Sequence, residues 1–223
     1  MRVHHIIAAI VVPLWLFAAP APARAALFSI SLDTSGLVGQ GEFQLNFQLI
    51  DGDGGVGSLI TLSDFDFGGG SPVGDPVPAP PFANAGSGSL STEVTLQDTA
   101  FFTSFTQGFL PGSTLAFLLE VTGSSDPSTP DYFTMALLDS RGFEVPTLGF
   151  AEELLSLALV TGAAPLSFGT DPARTNLNVP APTVAAVPEP ATALLVLTGT
   201  ALIGVRRRSS SRARVSQDDA QSR

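Results

Sequence analysis

An all-β fold, an antiparallel sandwich of the jelly-roll type, is predicted for the body of this chain of 223 residues. Apolar and polar residues alternate in several short segments, as they do in strands with one buried face. The chain also has 22 Gly and 18 Pro, and many of them cluster between these segments, which indicates turns. Cysteine is absent, so the sandwich has to be stabilised by its own apolar core.

The alternation places the strands in chain order. Residues 43–49 are the clearest case, because Phe and Leu alternate with Glu, Gln and Asn from residue 42 onward. Residues 27–32 and 115–119 alternate in the same way. Residues 131–138 and 155–160 are more apolar, so they are predicted to be more deeply buried strands.

Glycine and proline mark the connections between these strands. We expect a hairpin turn at 51–55, a long Gly/Pro loop over 68–81 and a further loop over 123–130. The composition shifts to Pro, Ala, Thr and Val over residues 172–186. The predicted domain therefore covers residues 26–171, and the segment after it is predicted to be an extended linker that holds the domain away from a membrane.

Residues 1–25 are typical of a secretory signal peptide, with a short basic start and an apolar run over 6–19. Ala23 and Ala25 supply the small-x-small pattern that signal peptidase requires, so the mature chain is expected to begin at Ala26. An uncleaved anchor helix is the alternative. Two prolines just before the cleavage site disfavour it, because they interrupt a helix.

Residues 191–205 form an uncharged apolar run that predicts a membrane helix near the C-terminus. At about 1.5 Å per residue it spans about 22 Å, less than the ~30 Å of hydrocarbon in a bilayer. Such a length suits a transient anchor. Three basic residues follow at once and predict a cytoplasmic polar tail over 209–223; they are Arg206, Arg207 and Arg208. They also disfavour the alternative, a buried core helix.

The segment 187–208 resembles the PEP-CTERM sorting signal of Gram-negative bacteria, in its Val-Pro-Glu-Pro motif, short apolar helix and Arg cluster. The resemblance implies that an exosortase recognises Pro188, Glu189 and Pro190. It also implies an intermediate anchored in the inner membrane, then a place at the cell surface or in an extracellular matrix, with exopolysaccharide as a partner. The tail after the Arg cluster is longer than in many members.

Two stretches of the body are also similar to ectodomains in one PEP-CTERM family of unknown function. They are Leu96 to Phe109 and Asp131 to Thr147. The resemblance assigns no activity to either stretch.

The body is strongly acidic. Between Ala26 and Val187 the chain has 17 acidic residues and two basic ones, Arg141 and Arg174, a net charge of roughly −15. Such a body repels nucleic acid and anionic lipid, because phosphate binding requires Lys or Arg. A purely solubilising surface is the simplest interpretation of this charge.

From Ala26 onward the chain contains no His, Cys, Lys or Trp. A Ser-His-Asp triad, a Cys nucleophile, a Schiff-base Lys and a His/Cys zinc site are therefore excluded from the mature chain. We expect a protein that is not an enzyme and has no cofactor.

Two acidic pairs are the candidates for chemistry. Asp51 and Asp53 lie in a Gly-rich segment like that of a calcium loop, but an EF-hand alignment places Val56 at position 6 and Leu62 at position 12, where Gly and Glu are required. A hairpin turn is therefore the favoured interpretation, and a looser metal site is the alternative.

The second pair, Asp64 and Asp66, alternates with Phe and so shares one face of a strand. Two facing carboxylates could form a glycosidase pair. A solvated face is the favoured interpretation of this pair.

Aromatic residues give little indication of a sugar platform. Tyr132 is the only Tyr, and it lies beside a predicted loop. A dense set of Phe residues could form either a corner of the core, which is favoured, or a surface patch; these are Phe101, Phe102, Phe105 and Phe109.

The sequence therefore predicts an exported surface or matrix protein, processed by signal peptidase and an exosortase, with a structural or adhesive role. The alternative is a carbohydrate- or calcium-binding module that uses loop carboxylates. A glycoside hydrolase that uses only carboxylates is a third possibility and would require a deep cleft.

Overall fold

The computed structural model describes residues 25–55, 57–123, 126–160 and 162–188. It consists of two β-sheets packed face to face, so the predicted all-β, antiparallel class is confirmed. The predicted membrane helix and, apart from Ala25, the predicted signal peptide lie outside the described residues. Within the described part of the chain, no helix combines the length and the hydrophobicity needed to cross a membrane.

The described residues form thirteen strands, numbered β1 to β13 in chain order, and one 3₁₀ helix at Ser35–Leu37. The strands are β1 Ala26–Asp33, β2 Phe43–Ile50, β3 Leu59–Asp66, β4 Ser71–Val77, β5 Asn84–Ala85, β6 Ser87–Gly88, β7 Glu93–Gln97, β8 Phe102–Leu110, β9 Thr114–Thr122, β10 Tyr132–Asp139, β11 Glu153–Ala158, β12 Leu166–Ser167 and β13 Thr183–Ala186.

The first sheet has the order β13-β1-β9-β3-β7-β6 and the second has the order β12-β11-β10-β2-β8-β4, with β5 pairing beside β8. From β1 to β4, and again from β7 to β10, each strand lies in the opposite sheet to the one before it. The connections between these strands therefore cross from sheet to sheet at the ends of the sandwich.

The core is an aromatic cluster between the sheets. The ring of Phe47 lies at its centre, 5.7–6.4 Å from the rings of Phe65, Phe105, Phe117 and Phe133. These distances are in the range at which aromatic pairs stabilise a core beyond their buried area. The apolar positions of β2, predicted to face inward, are all buried.

The dense Phe set predicted to form a core corner is divided between two places. Phe105 and Phe109 are buried in the core. Phe101 is 74% exposed, and Phe102 lies outside the core, where its ring stacks on Phe82 at 6.2 Å. The core interpretation is therefore wrong for both residues. Phe102 points to the face opposite Phe105 and Phe109, because side chains alternate along a strand, and Phe101 lies in the connection before β8.

The predicted loop over 68–81 is wrong in its centre, where Ser71–Val77 forms β4 at the edge of the second sheet. Pro72 and Pro76 led to the loop prediction. Proline lacks an N–H donor, and an edge strand tolerates it because one side of that strand has no partner to bind.

The hairpin predicted at 51–55 is also wrong. The segment connects β2 of the second sheet to β3 of the first, so it crosses the end of the sandwich. A hairpin would have paired these two strands with each other.

The segment 172–186 differs from the predicted linker. Val179 is 1% exposed, and its N–H and carbonyl both bind Thr170, at 3.0 and 2.9 Å. β13 then pairs with β1 along the edge of the first sheet. The folded body thus continues to Val187, because an edge position accommodates a Pro-rich segment.

Candidate metal centre

Three sheet-to-sheet connections meet at one end of the sandwich. The segment 51–58 follows β2, residues 98–101 follow β7, and the segment 123–131 follows β9. The strand register brings them together, because Ile50 at the end of β2 lies opposite both Tyr132 and Phe102, the first residues of β10 and β8. Each connection carries an acidic residue directly beside a strand end.

The segment 51–55 is held in a tight turn by its own carboxylate. Asp51 Oδ1 accepts hydrogen bonds from the N–H groups of Asp53 and Gly54, at 3.0 and 2.6 Å. Gly54 has a φ of 73°, which favours glycine, and a Cβ on Gly52 would lie 2.2 Å from the carbonyl oxygen of Pro130. The two glycines therefore let this turn pack closely against the β9–β10 connection.

Asp131 ties the connections together from the opposite side. Its Oδ1 accepts the N–H of Gly52 at 3.0 Å, and its Oδ2 accepts the hydroxyl of Ser58 at 2.7 Å. Asp53 Oδ2 accepts the N–H of Asp126 at 3.0 Å. Hydrogen bonds thus fix these carboxylates in place.

Three carboxylates converge at this end. Asp51, Asp53 and Asp131 each contribute an oxygen, and these oxygens lie within 4.8 Å of one another. Calcium binds oxygens at about 2.3–2.6 Å, so two oxygens on opposite sides of one ion are about 5 Å apart. The observed spacing therefore fits oxygens that share a single calcium ion.

Asp98 is the fourth carboxylate and the most informative one. It is only 3% exposed, and its Oδ1 has no hydrogen-bond partner among the described residues. Burial, followed by the charges of Asp51, Asp131 and Asp53, raises the pKa of Asp98 to about 6. A buried carboxylate oxygen without a donor is costly, and the nearby like charges increase the cost.

No basic side chain of the described residues neutralises this group. Arg141 pairs with Asp139, and Arg174 pairs with Glu152 and Asp171. Two unit charges about 5 Å apart interact by about 3 kcal/mol at an effective dielectric constant of ~20. The four residues Asp51, Asp53, Asp98 and Asp131, the acidic cluster below, therefore form an arrangement that a bound cation would stabilise.

Comparisons with family models, with curated proteins and with solved structures found no match to this chain. The chemistry of the acidic cluster therefore has to be argued from its own geometry.

The sequence singled out half of the acidic cluster. Asp51 and Asp53 are the predicted candidates. The structure brings their oxygens within 4.8 Å of an oxygen of Asp131, and it places Asp98 where the charges of all three act on it. Those two residues are far from the pair in sequence. The available signal was positional, because Asp51, Asp98 and Asp131 each directly adjoin a strand end.

The second predicted pair, Asp64 and Asp66, lies elsewhere. Both residues are exposed near the end of β3, where the pairing with β9 is interrupted by a bulge. Asp66 Oδ1 accepts the N–H of Gly68 at 2.9 Å and so caps a turn. This exposure agrees with a solvated face.

Of the predicted processing residues, Ala25 and Pro188 are described, and they lie near each other. The N–H of Val187 donates to the carbonyl of Leu27 at 2.8 Å, so the two ends of the body leave the sandwich side by side. Ala26 pairs with Val121, close to the β9–β10 connection, which places both ends at the same end as the acidic cluster. The remaining processing residues lie outside the described part: Ala23, Glu189, Pro190, Arg206, Arg207 and Arg208.

Proposed function

We propose that this chain is an exported surface or matrix protein whose β-sandwich binds one calcium ion at the acidic cluster. The observation that carries the proposal is the convergence of oxygens from Asp51, Asp53 and Asp131 within 4.8 Å of one another. The buried Oδ1 of Asp98 has no hydrogen-bond partner among the described residues, and the charges of these three carboxylates act on it. A cation supplies the missing partner and removes the repulsion among the four groups.

Calcium fits this ligand set better than other common metals. The side-chain ligands are all carboxylates, and the chain from Ala26 onward has no His or Cys for zinc. Calcium takes six to eight oxygens in flexible geometry, so backbone carbonyls and water complete the set. Magnesium requires oxygens at about 2.0–2.1 Å in a strict octahedron and binds few carboxylates.

Bound calcium would hold the three sheet-to-sheet connections to one another. Asp51 and Asp53 lie on the first, Asp98 on the second and Asp131 on the third. Because unfolding separates these ligands, binding favours the folded state. Extracellular calcium modules bind at about 10⁻⁴–10⁻³ M, which suits a protein outside the cell.

The terminal segments support export and sorting. A predicted signal peptide directs the body across the membrane, and the PEP-CTERM-like segment 187–208 directs it to an exosortase. In this proposal the anchor forms over 191–205 until processing, the sandwich has the jelly-roll-like arrangement, and its role in the matrix is structural or adhesive rather than enzymatic. The acidic cluster then lies at the end of the sandwich from which the anchor leaves.

Calcium binding is tested by calorimetric titration of the full chain, purified in mild detergent and stripped with EDTA. We expect one ion per chain and a tenfold or larger loss of affinity in Asp98→Asn, which keeps the side-chain shape and removes the charge. Asp64→Asn is the matched control, because Asp64 is exposed away from the acidic cluster. Heat of binding that is absent up to 10 mM calcium, or unchanged in Asp98→Asn, would contradict the proposed centre.

Sorting is tested separately by the intact mass of the protein recovered from the native host, with and without its exosortase. We expect a species that lacks the residues after Pro190 only when the enzyme is present. An uncut, membrane-retained chain in both strains would instead show that 191–205 is a simple anchor.

A further inference from the structure

The outer face of the second sheet carries a polar patch at its centre. Asn46 and Gln48 of β2 point away from the core, since the residues between and beside them fill it. Hydroxyl residues lie opposite them on the neighbouring strands. Ser104 and Thr134 face Gln48, and Thr106 faces Asn46. Five amide or hydroxyl side chains thus form one surface across three strands.

Hydrogen bonds hold this surface in one arrangement. The amide of Asn46 donates to the hydroxyls of Ser104 and Thr106, at 3.1 and 2.7 Å. The side-chain amide of Gln48 donates to Oδ1 of Asn46. The hydroxyl of Thr134 donates to Oε1 of Gln48 at 3.5 Å. Ser104 and Thr106 accept in these bonds, so their own O–H groups can still donate to a ligand.

Asn46 and Ser104 are only 7% and 6% exposed, although they lie on an outward face. Residues 80–82 lie on one side of this face and residues 142–144 lie on the other. Together with the face they enclose a groove of about 400 Å³. A groove of this volume is in the range of ligand sites, which span roughly 300–1,000 Å³.

The first wall of the groove is an aromatic pair. Phe82, on the connection between β4 and β5, is 80% exposed, and its ring stacks on Phe102 of β8 at 6.2 Å. Pro80 extends the same wall. Stacking on Phe102 holds Phe82 in place while most of its ring stays exposed beside a polar floor, an arrangement that suits a binding surface.

The second wall carries Phe143, which is 65% exposed. The guanidinium of Arg141 lies 5.3 Å from the centre of this ring, and Asp139 fixes Arg141 through two hydrogen bonds, at 2.7 and 3.1 Å. Asp139 also accepts the N–H of Phe143 at 3.0 Å. The ring is therefore positioned in advance, which lowers the entropic cost of binding.

The geometry points to a saccharide site, and we propose that this groove binds a chain of neutral polysaccharide. Aromatic rings on the walls offer apolar faces to the C–H faces of sugar rings. The amides and hydroxyls of the floor offer both donors and acceptors to sugar hydroxyls. The floor spans three strands, about 10 Å at ~4.8 Å per strand, so it accommodates a short run of sugar units.

Charge decides which polysaccharide fits. The body carries roughly −15 charges, and Glu144 lies at the groove itself. Arg141, next to this wall, is paired with Asp139, and none of the described residues that line the groove is basic. An anionic chain would be repelled, because phosphate or carboxylate recognition requires free basic groups. A neutral chain meets no such penalty.

Affinity electrophoresis of the full chain tests this site, with hydroxyethylcellulose, dextran and galactomannan as neutral probes. Polygalacturonate is the anionic probe, and gelatin is the polypeptide probe. We expect at least one neutral probe to retard the protein and polygalacturonate not to do so. Retardation by none of the neutral probes, or by gelatin or polygalacturonate alone, overturns the proposal.

Variants locate the binding. Phe82→Ala and Phe143→Ala are each expected to weaken retardation about tenfold. Gln48→Leu removes the amide at a similar side-chain size and is also expected to weaken retardation. Phe150→Ala is the matched control, since Phe150 is fully exposed outside the groove. An effect of Phe150→Ala equal to that of the groove variants would place binding elsewhere. Thermal unfolding of each variant verifies that it is folded.

The saccharide site and the calcium centre share no side chain, although Phe102 of the groove wall directly follows the 98–101 connection. The groove lies on the face of the second sheet, and the acidic cluster lies at the end of the sandwich. Asp98→Asn is therefore expected to retain full retardation, so failure of one proposal leaves the other testable. A parallel loss of retardation in Asp98→Asn would overturn the assignment of binding to the groove.

Discussion

The two ends of the sandwich hold their connecting segments with carboxylates in opposite ways. At one end, Asp51, Asp53 and Asp131 converge and their charges act on the buried Asp98, while the ion pairs of Arg141 and Arg174 are made with other carboxylates. At the opposite end, beside the start of β11, Arg174 forms ion pairs with both Glu152 and Asp171. Among the described residues, a shared guanidinium therefore neutralises carboxylates at the Arg174 end.

Arg174 organises its end through several hydrogen bonds. Its Nε donates to Asp171 at 2.7 Å, its Nη1 donates to Glu152 at 2.5 Å, and its Nη2 donates to the carbonyl of Thr147. These bonds lower the pKa of both Glu152 and Asp171, while the pKa of Asp98 is raised. The opposite directions show that the Arg174 end favours the charged forms of Glu152 and Asp171, whereas the surroundings of Asp98 disfavour its charged form.

This difference indicates at which end the stability of the fold depends on ions or protons from solution. A guanidinium is part of the fold and is always charged, so the Arg174 end is complete by itself. No described guanidinium pairs with Asp98, so in our proposal a cation or a proton from solution stabilises the acidic cluster. Conditions that remove both should destabilise one end and leave the other unchanged.

Removing calcium is expected to have the largest effect. In EDTA at pH 7.5, the Tm of the full chain should fall by about 5–10 °C from its value at calcium 100-fold above Kd, because ligand release costs about 2.7 kcal/mol. Hydrogen exchange should quicken over 98–101 and 126–131, and stay constant over 146–152 and 171–175. Equal loosening at both ends would mean that calcium acts on the whole sandwich and would contradict the comparison.

Protonation of Asp98 is expected to have the next largest effect, measured in EDTA. The folded pKa of about 6 lies above the ordinary value of 3.8, so the folded state binds this proton more tightly than the unfolded state. The contribution of Asp98 is therefore most favourable below about pH 4 and is lost as the pH rises through 6. From pH 4 to 7 the unfolding free energy should fall by about 1–2 kcal/mol more in the native chain than in Asp98→Asn.

Urea unfolding at several pH values measures this difference. Comparison with Asp98→Asn removes the contributions of the other carboxylates, such as Glu152 and Asp171, whose lowered pKa values act in the opposite direction. Parallel profiles for the two proteins would show that Asp98 titrates alike in the folded and unfolded states.

The sequence predicted the parts of the fold that local pattern controls. β2 was predicted from strict alternation, and β1, β9, β10 and β11 were predicted close to their observed bounds. β4 and β13 were missed because both are Pro-containing or Pro-flanked edge strands, and their composition resembles that of loops. Edge position is a property of the sheet and is not encoded in a local pattern.

The acidic cluster was only half predicted for a related reason. Asp51 and Asp53 are neighbours in a Gly-rich segment, so a motif search finds them. Asp98 and Asp131 join them only because β2, β8 and β10 are paired in register and three connections cross at the same end. The groove was missed similarly, because Phe82 and Phe102 meet across 20 residues of sequence.

Removing the ion pairs of Arg174 is expected to have the smallest effect on stability, and it tests the comparison of the two ends most directly. Arg174→Ala should lower the Tm by about 2–4 °C. A single exposed ion pair contributes little, but Arg174 makes two ion pairs and also donates to the carbonyl of Thr147. Arg141→Ala is the matched control, because Arg141 has a single ion pair and a 75% exposed side chain. The loss in Arg174→Ala should be the same with calcium as with EDTA, because the two ends share no ligand. A loss that depended on calcium would show that the two ends are coupled through the sandwich.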